Sequence, residues 1–188
     1  MLGQAIGNAI GSIDYASDVC LGCDRAFVDL PARKFPTAVE ARRQVAATAE
    51  RLEKLREAKA DRGEIRTAEC DWFGAEETLA LARAAEEGRL QAAIDSVMPA
   101  EIMLTRVGRR VFAGWPGECF AEFALKVKAQ FPDCCVISMA NGELQGYLIT
   151  EEAVQKRWYE AMNSLFASPE AGMILVNVTL EMLRSQED

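Results

Sequence analysis

From Thr37 to Arg62 the chain runs without a proline or glycine, alanine-rich and heavily charged, and this stretch restricts the fold more than any other. A run of that length without breakers is helical by propensity. Thr37 is placed to cap it, and Glu40, three residues on, completes a capping box. Val45, Ala49, Leu52, Leu55 and Ala58 make one narrow apolar stripe, which leaves most of the surface to solvent. Such a helix projects from a core rather than filling it. The sharper alternative is a coiled coil, for which only about two or three heptads are available. Gly63 is expected to end the helix and Trp72-Phe73-Gly74 to form a loop. A second helix over 75–87, stopped by Gly88, then runs back antiparallel to the first. The spacing predicts a helical hairpin excursion over about 37–88.

Around the excursion, strand and helix patterns alternate. Residues 2–16 carry Leu2, Ala5, Ile6, Ala9, Ile10 and Ile13 at three-and-four spacing, an amphipathic helix despite Gly3, Gly7 and Gly11. Those glycines serve either close packing or a frayed end. Asp18 to Cys23 reads as irregular, and Arg25 to Leu30 as a strand with Ala26, Val28 and Leu30 on one side. Residues 100–107 and 110–113 form a hairpin across Gly108-Arg109. Phe120, Phe123, Ala124, Val127 and Phe131 mark a helix face that packs on a sheet, and 134–139 a buried strand. Helices are expected over 151–165, with Val154, Trp158, Ala161, Met162 and Leu165 inward, and over 173–183, where the β-branched residues also permit a strand. The fold class is α/β (α+β): a mixed sheet flanked by helices, with the hairpin as an excursion, in a single domain over 1–188.

Charge and composition narrow the function. With 21 basic against 29 acidic residues the net charge is −8, and no basic block offsets it, so nucleic acid is excluded as the expected partner. No apolar run is long enough for a transmembrane helix, and the start lacks the basic and apolar regions of a secretory signal. The chain reads as cytoplasmic. Its six cysteines are expected as reduced thiols; one Cys20-Leu21-Gly22-Cys23 motif without a second pair is a poor zinc site. The chain contains no histidine. It therefore holds no Ser-His or Cys-His pair and none of the imidazole ligands that most catalytic zinc sites use.

What remains for chemistry is one acid and two phenols. Gly114-Trp115-Pro116-Gly117-Glu118 is a Pro-Gly turn after an apolar strand, which presents Glu118 at the first turn of the following helix. Tyr147 follows Asn141-Gly142 in the extended run Gly146-Tyr147-Leu148-Ile149-Thr150, and Tyr159 lies on the flank of the next helix. Taken singly, each is equally well an ordinary turn carboxylate or a half-buried phenol.

Together with Val28-Asp29-Leu30-Pro31-Ala32-Arg33-Lys34-Phe35-Pro36-Thr37 and Trp158-Tyr159-Glu160, these motifs resemble, in order, the neutral/alkaline non-lysosomal ceramidase family. The likeness covers the C-terminal half of that family's catalytic domain. The resemblance implies that Glu118 and Tyr147 bind zinc, and that Tyr159 lies beside the scissile amide of an N-acyl sphingoid-like lipid and stabilises the developing oxyanion. The two zinc histidines and the active-site serine would come from a missing N-terminal half or a separate chain. It further implies that Glu118 and Tyr147 face one cavity at the end of the sheet, bordered by Tyr159. A sheet lacking its neighbouring strands leaves an open edge and an apolar face, so a homo-oligomer is expected. The alternative is a non-catalytic binding or assembly module that kept the fold and lost the metal.

Overall fold

The computed structural model describes residues 2–186. It is built on a four-stranded mixed sheet of β1 (Leu21–Val28), β2 (Ala100–Val107), β3 (Arg110–Gly114) and, numbered fifth in the chain, β5 (Cys134–Ile137). β1–β2 and β2–β3 pair antiparallel, and β3–β5 pairs parallel. The parallel pair needs a crossover, which α5 (Ala121–Gln130) supplies. A separate two-stranded parallel pair joins β4 (Glu118–Cys119) to β6 (Tyr147–Leu148). The remaining helices are α1 (Leu2–Ile10), α2 (Ala38–Glu57), α3 (Arg62–Glu86), α4 (Leu90–Asp95), α6 (Glu151–Gln155), α7 (Tyr159–Met162) and α8 (Pro169–Ser185). The sequence expectation of an α/β (α+β) fold holds.

The core lies on one face of the sheet. Period-2 alternation turns Ala100, Ile102 and Leu104 of β2, Val111 and Ala113 of β3, and Cys134 of β5 inward. Phe123 and Val127 of α5 and Leu175, Val176, Leu180 and Leu183 of α8 cover them. Gly172 of α8 sits where a Cβ would fall 2.2 Å from the Phe123 ring, which lets the two helices close. The opposite face is largely uncovered: Leu21, Phe27, Val107 and Ile137 lie exposed along it.

Several expected boundaries change. The capping box on Thr37 and Glu40 is present, with Thr37 Oγ1 accepting from the Glu40 amide at 3.2 Å and Glu40 Oε2 accepting from the Thr37 amide at 2.9 Å. Gly63, however, does not close α2. It lies in the first turn of α3, where its amide donates to Asp61 at 2.7 Å. Trp72-Phe73-Gly74 is no loop but the middle of α3. Glycine disfavours a helix by about 1 kcal/mol, and at Gly74 close packing outweighs this: a Cβ there would lie 3.2 Å from Met162 and 3.3 Å from the Tyr159 carbonyl. The hairpin is thus two helices, 20 and 25 residues long.

The expected helix over 151–165 is two short helices. Arg157 takes a left-handed backbone (φ 53) and Trp158 an extended one, so Val154 and Trp158 are exposed rather than inward. The strand over 134–139 ends at Ile137 and is an edge strand, not a buried one. β1 begins at Leu21, so Cys23 belongs to a strand and not to a loop. α1 stops at Ile10, and Gly3 and Gly7 have nothing within 4 Å. Close helix packing through those glycines is absent.

Candidate functional site

Glu118 is held from below by Trp115. The indole is fully buried, and its Nε1–H donates to the buried Thr179 hydroxyl of α8 at 2.9 Å. The Trp115 amide donates to Ile137, and its carbonyl accepts from Ala140 at 2.9 Å. The chain leaving this anchor does not enter a helix at once. Glu118 and Cys119 form β4 and α5 starts only at Ala121, so the expected helix-first-turn position of Glu118 is corrected to an exposed strand position. Phe120 closes the strand, its amide donating to the Leu148 carbonyl at 3.1 Å.

Register then brings the carboxylate to the first phenol. Glu118 and Tyr147 are direct partners across the parallel β4–β6 pair, which puts their side chains on adjacent strands. Segment 145–148 is stitched to 163–165. Ser164 Oγ donates to the Tyr147 carbonyl at 2.8 Å, Gln145 Oε1 accepts from the Leu165 amide at 2.6 Å, and Gln145 Nε2 donates to the Asn163 carbonyl at 2.9 Å.

The second phenol meets the first at its tip. The Tyr147 and Tyr159 hydroxyls are 3.0 Å apart, with their rings edge to face at 75° and centroids 5.9 Å apart. Phe120 presents an edge to Tyr147 and stacks on Trp158 at 6.2 Å. Tyr159 is positioned from its own side by Arg33. That guanidinium donates to the Ala161 carbonyl of α7 and, at 2.8 Å, to Thr78 of α3, while Thr78 donates to the Met162 carbonyl. Burial pulls the Arg33 guanidinium down to about 10, so it stays charged at neutral pH. Arg33, Ser164 and Gln145 were not singled out by sequence as site residues, and Phe120 was read only as part of a helix face, whereas it caps α5 beside Tyr147. Arg33 lies inside the Pro31–Pro36 motif, but nothing local marks it as a strut for α7.

Glu118, Tyr147 and Tyr159 are therefore brought together. The two clefts of about 680 and 460 Å³ that Tyr159 borders have neither Glu118 nor Tyr147 on their walls. Two oxygen donors side by side fit part of a tetrahedral zinc shell. Among the described residues no group of three or more His, Cys, Asp or Glu is placed to hold a metal.

The Tyr147 phenol is held well above its ordinary value, first by its hydrogen bond with Tyr159, then by burial, and then by the charges of Tyr159 and Glu118 and a hydrogen bond to Glu118. A raised folded value means that the contribution to stability is complete below the unfolded phenol value of about 10 and is lost as pH climbs through the folded one. In an alkaline absorbance titration of the folded chain, one phenol should resist ionisation. Tyr159→Phe should bring that phase down and Tyr147→Phe should delete it; an unchanged titration in both variants would refute the coupling.

Burial also pushes thiols up, Cys119 to about 12 and Cys134 to about 11, so neither is a ready nucleophile or thiolate ligand at neutral pH. Neither a family model, nor a curated protein, nor a solved structure matches this chain. Among the described residues, no helix is long and apolar enough to cross a membrane.

Proposed function

We propose that this chain contributes part of a zinc-dependent amidohydrolase site of ceramidase type, which cleaves the amide of N-acyl sphingoid-like lipids and is completed by histidines from outside the chain. The observation that carries the reading is the pairing of Glu118 with Tyr147 in register, together with the 3.0 Å contact between the Tyr147 and Tyr159 hydroxyls. Zinc, when bound, polarises an amide carbonyl and sharpens a water into a nucleophile. Glu118 and Tyr147 would supply two oxygen ligands. The Tyr147 hydroxyl would have to shed its proton, against the environment that holds it protonated in the chain alone. Tyr159, on a separate short helix, would donate its hydroxyl hydrogen to the amide oxygen as negative charge develops there.

The reading makes two linked predictions. The chain alone should bind zinc weakly or not at all, since half the shell is left to water. Combined with a chain that supplies two imidazoles, it should hold zinc and hydrolyse an N-acylsphingosine. Glu118→Gln and Tyr147→Phe should then lose the metal, while Tyr159→Phe should keep it and lower kcat by roughly 10²–10³. Elemental analysis and turnover of the paired chains decide this. Stoichiometric, chelator-resistant zinc in the chain alone, or turnover that survives Glu118→Gln, would sink the proposal. A complex that forms but takes up no zinc would favour the binding or assembly module, which the hydrogen-bonded Tyr147–Tyr159 pair also suits.

A further inference from the structure

Two apolar surfaces of the chain stand uncovered, and they match in size and chemistry. The first is on α1. Leu2, Ala5, Ile6, Ala9 and Ile10 line one side of this helix and Gln4 and Asn8 the other, yet none of its residues is buried. Leu2, Ile6 and Ile10 keep 76%, 52% and 59% of their surface in solvent. A helix of nine residues is marginal in water by itself, and Gly3 and Gly7 weaken it further. It needs a surface to pack on.

The second is the open face of the four-stranded sheet. Alternation sends Met103 of β2 and Phe112 of β3 to the side away from the core, where Leu21, Phe27, Val107 and Ile137 lie exposed around them. The charged residues of this face, Arg25, Glu101 and Arg110, stand on the edge strand or near strand ends. An uncharged helix such as α1 brings no charge to bury at its centre. Strands lie about 4.8 Å apart, so four of them span roughly 14–15 Å, while α1 is about 13.5 Å long and 10–12 Å across. One such helix covers the middle of the face.

The arm between the two surfaces separates them within one molecule. Residues 11–20 form no helix or strand and are exposed throughout, and their far end is fixed where the Cys20 carbonyl accepts from the Gly108 amide at 2.8 Å. Ten extended residues reach up to roughly 33–36 Å, more than the sheet is wide. In this structure α1 stands off its own sheet and leaves the face open to another molecule.

We infer that two copies of this chain exchange their α1 helices, each helix lying on the open sheet face of the other copy. Half the wall of a helix of this size hides roughly 300 Å² on contact, and the sheet beneath it loses a similar area. A twofold exchange makes the contact twice and buries about 1,200 Å², the lower end of the roughly 1,200–2,000 Å² of stable interfaces. One contact alone falls short of that range. The polar side of α1 disfavours a lipid surface, since interfacial helices carry Lys and Arg there and α1 has only Gln4 and Asn8, in a chain of net charge −8. The exchange is independent of the amidohydrolase reading, and nothing in its test needs zinc or turnover.

Sedimentation velocity of the full chain, from low to high micromolar concentration, should show a monomer–dimer equilibrium. Ile6→Asp lies on a helix that holds none of the core, and should weaken the dimer about a hundredfold or more because both contacts lose a buried isoleucine. The double variant Leu21→Lys, Val107→Lys alters an exposed register pair on the open face and should do the same. A mixture of the two variants keeps one sound contact of the two, so it should associate about tenfold more tightly than either variant alone. Cys23, exposed on the same face, reports its coverage: alkylation should slow as the dimer forms and stay fast in Ile6→Asp. A chain that stays monomeric, a dimer that survives Ile6→Asp, or a mixture no tighter than its parts would each overturn the inference. So would a monomer in which Ile6→Asp speeds Cys23 alkylation, the mark of a helix folded back on its own sheet, or uptake onto phosphatidylcholine vesicles that Ile6→Asp abolishes.

Discussion

Gly146→Ala is expected to destabilise the chain by about 3 kcal/mol and to lower its melting midpoint by roughly 6–12 °C. Gly146 has φ 80, and a Cβ built there would lie 2.5 Å from Ser164 Cα, 2.6 Å from its Cβ and 2.8 Å from its Oγ. Two costs add. A side chain in the left-handed region costs roughly 1–2 kcal/mol, and forcing the 145–148 and 163–165 segments apart costs roughly 1–3 more. The nearest obstacle is backbone, so trimming the neighbour should not cure it. Ser164→Gly in the Gly146→Ala background removes the two side-chain clashes and leaves the one with the main chain. The double variant should recover less than half of the loss, and full recovery would show that the strain lies in side chains alone. Because Ser164 Oγ holds the Tyr147 carbonyl, the same substitution should release the Tyr147–Tyr159 pair and bring the resistant phenol down in an alkaline titration.

The second large effect belongs to Arg33. Arg33→Met keeps bulk and the apolar stem but leaves the Ala161 carbonyl without its charged donor and Thr78 without a partner on that side. Hydrogen bonds to a charged group contribute roughly 1.5–3 kcal/mol, so a loss of about 2–4 kcal/mol is expected in urea unfolding. Arg33→Lys should rescue little. A single ammonium cannot reproduce the fork that reaches α7 and α3 together, and it stacks less well on Phe35, whose ring centroid lies 4.8 Å from the guanidinium carbon. If Lys restores full stability, the requirement is for charge and not geometry. The site readout is separate: in Arg33→Met, α7 loses a tether and Tyr159 should move away from Tyr147.

Much of the scaffold was legible because it depends on local patterns. The capping box at Thr37, the alternation in Ala100–Val107 and the hairpin turn at Gly108 are short-range signals. What failed were residues whose local preference is overridden by packing. Gly74 looks like a loop and sits inside a helix because α7 approaches there, and 151–165 looks like one helix but is broken at Arg157, where no glycine or proline announces it. Of the site, the residue types were readable and their register was not. The pairing of Glu118 with Tyr147 depends on two-residue strands too short to leave a periodic trace, and Arg33 acts across 128 positions of sequence to reach Ala161.

The hairpin of α2 and α3 also bears on the order in which the chain folds. β1 and β2 are neighbours in the sheet, yet roughly 70 residues separate the end of one from the start of the other, a slow closure for a freely diffusing loop. The hairpin's own partners are close in sequence, and its base is clasped where the Ala38 amide donates to Glu86 at 2.8 Å. Once it forms, the loop left to close shortens to roughly 20 residues, which lowers the entropic cost by about 1 kcal/mol. A segment that contributes little to the core thereby speeds the pairing of the strands on either side of it, through connectivity rather than through packing.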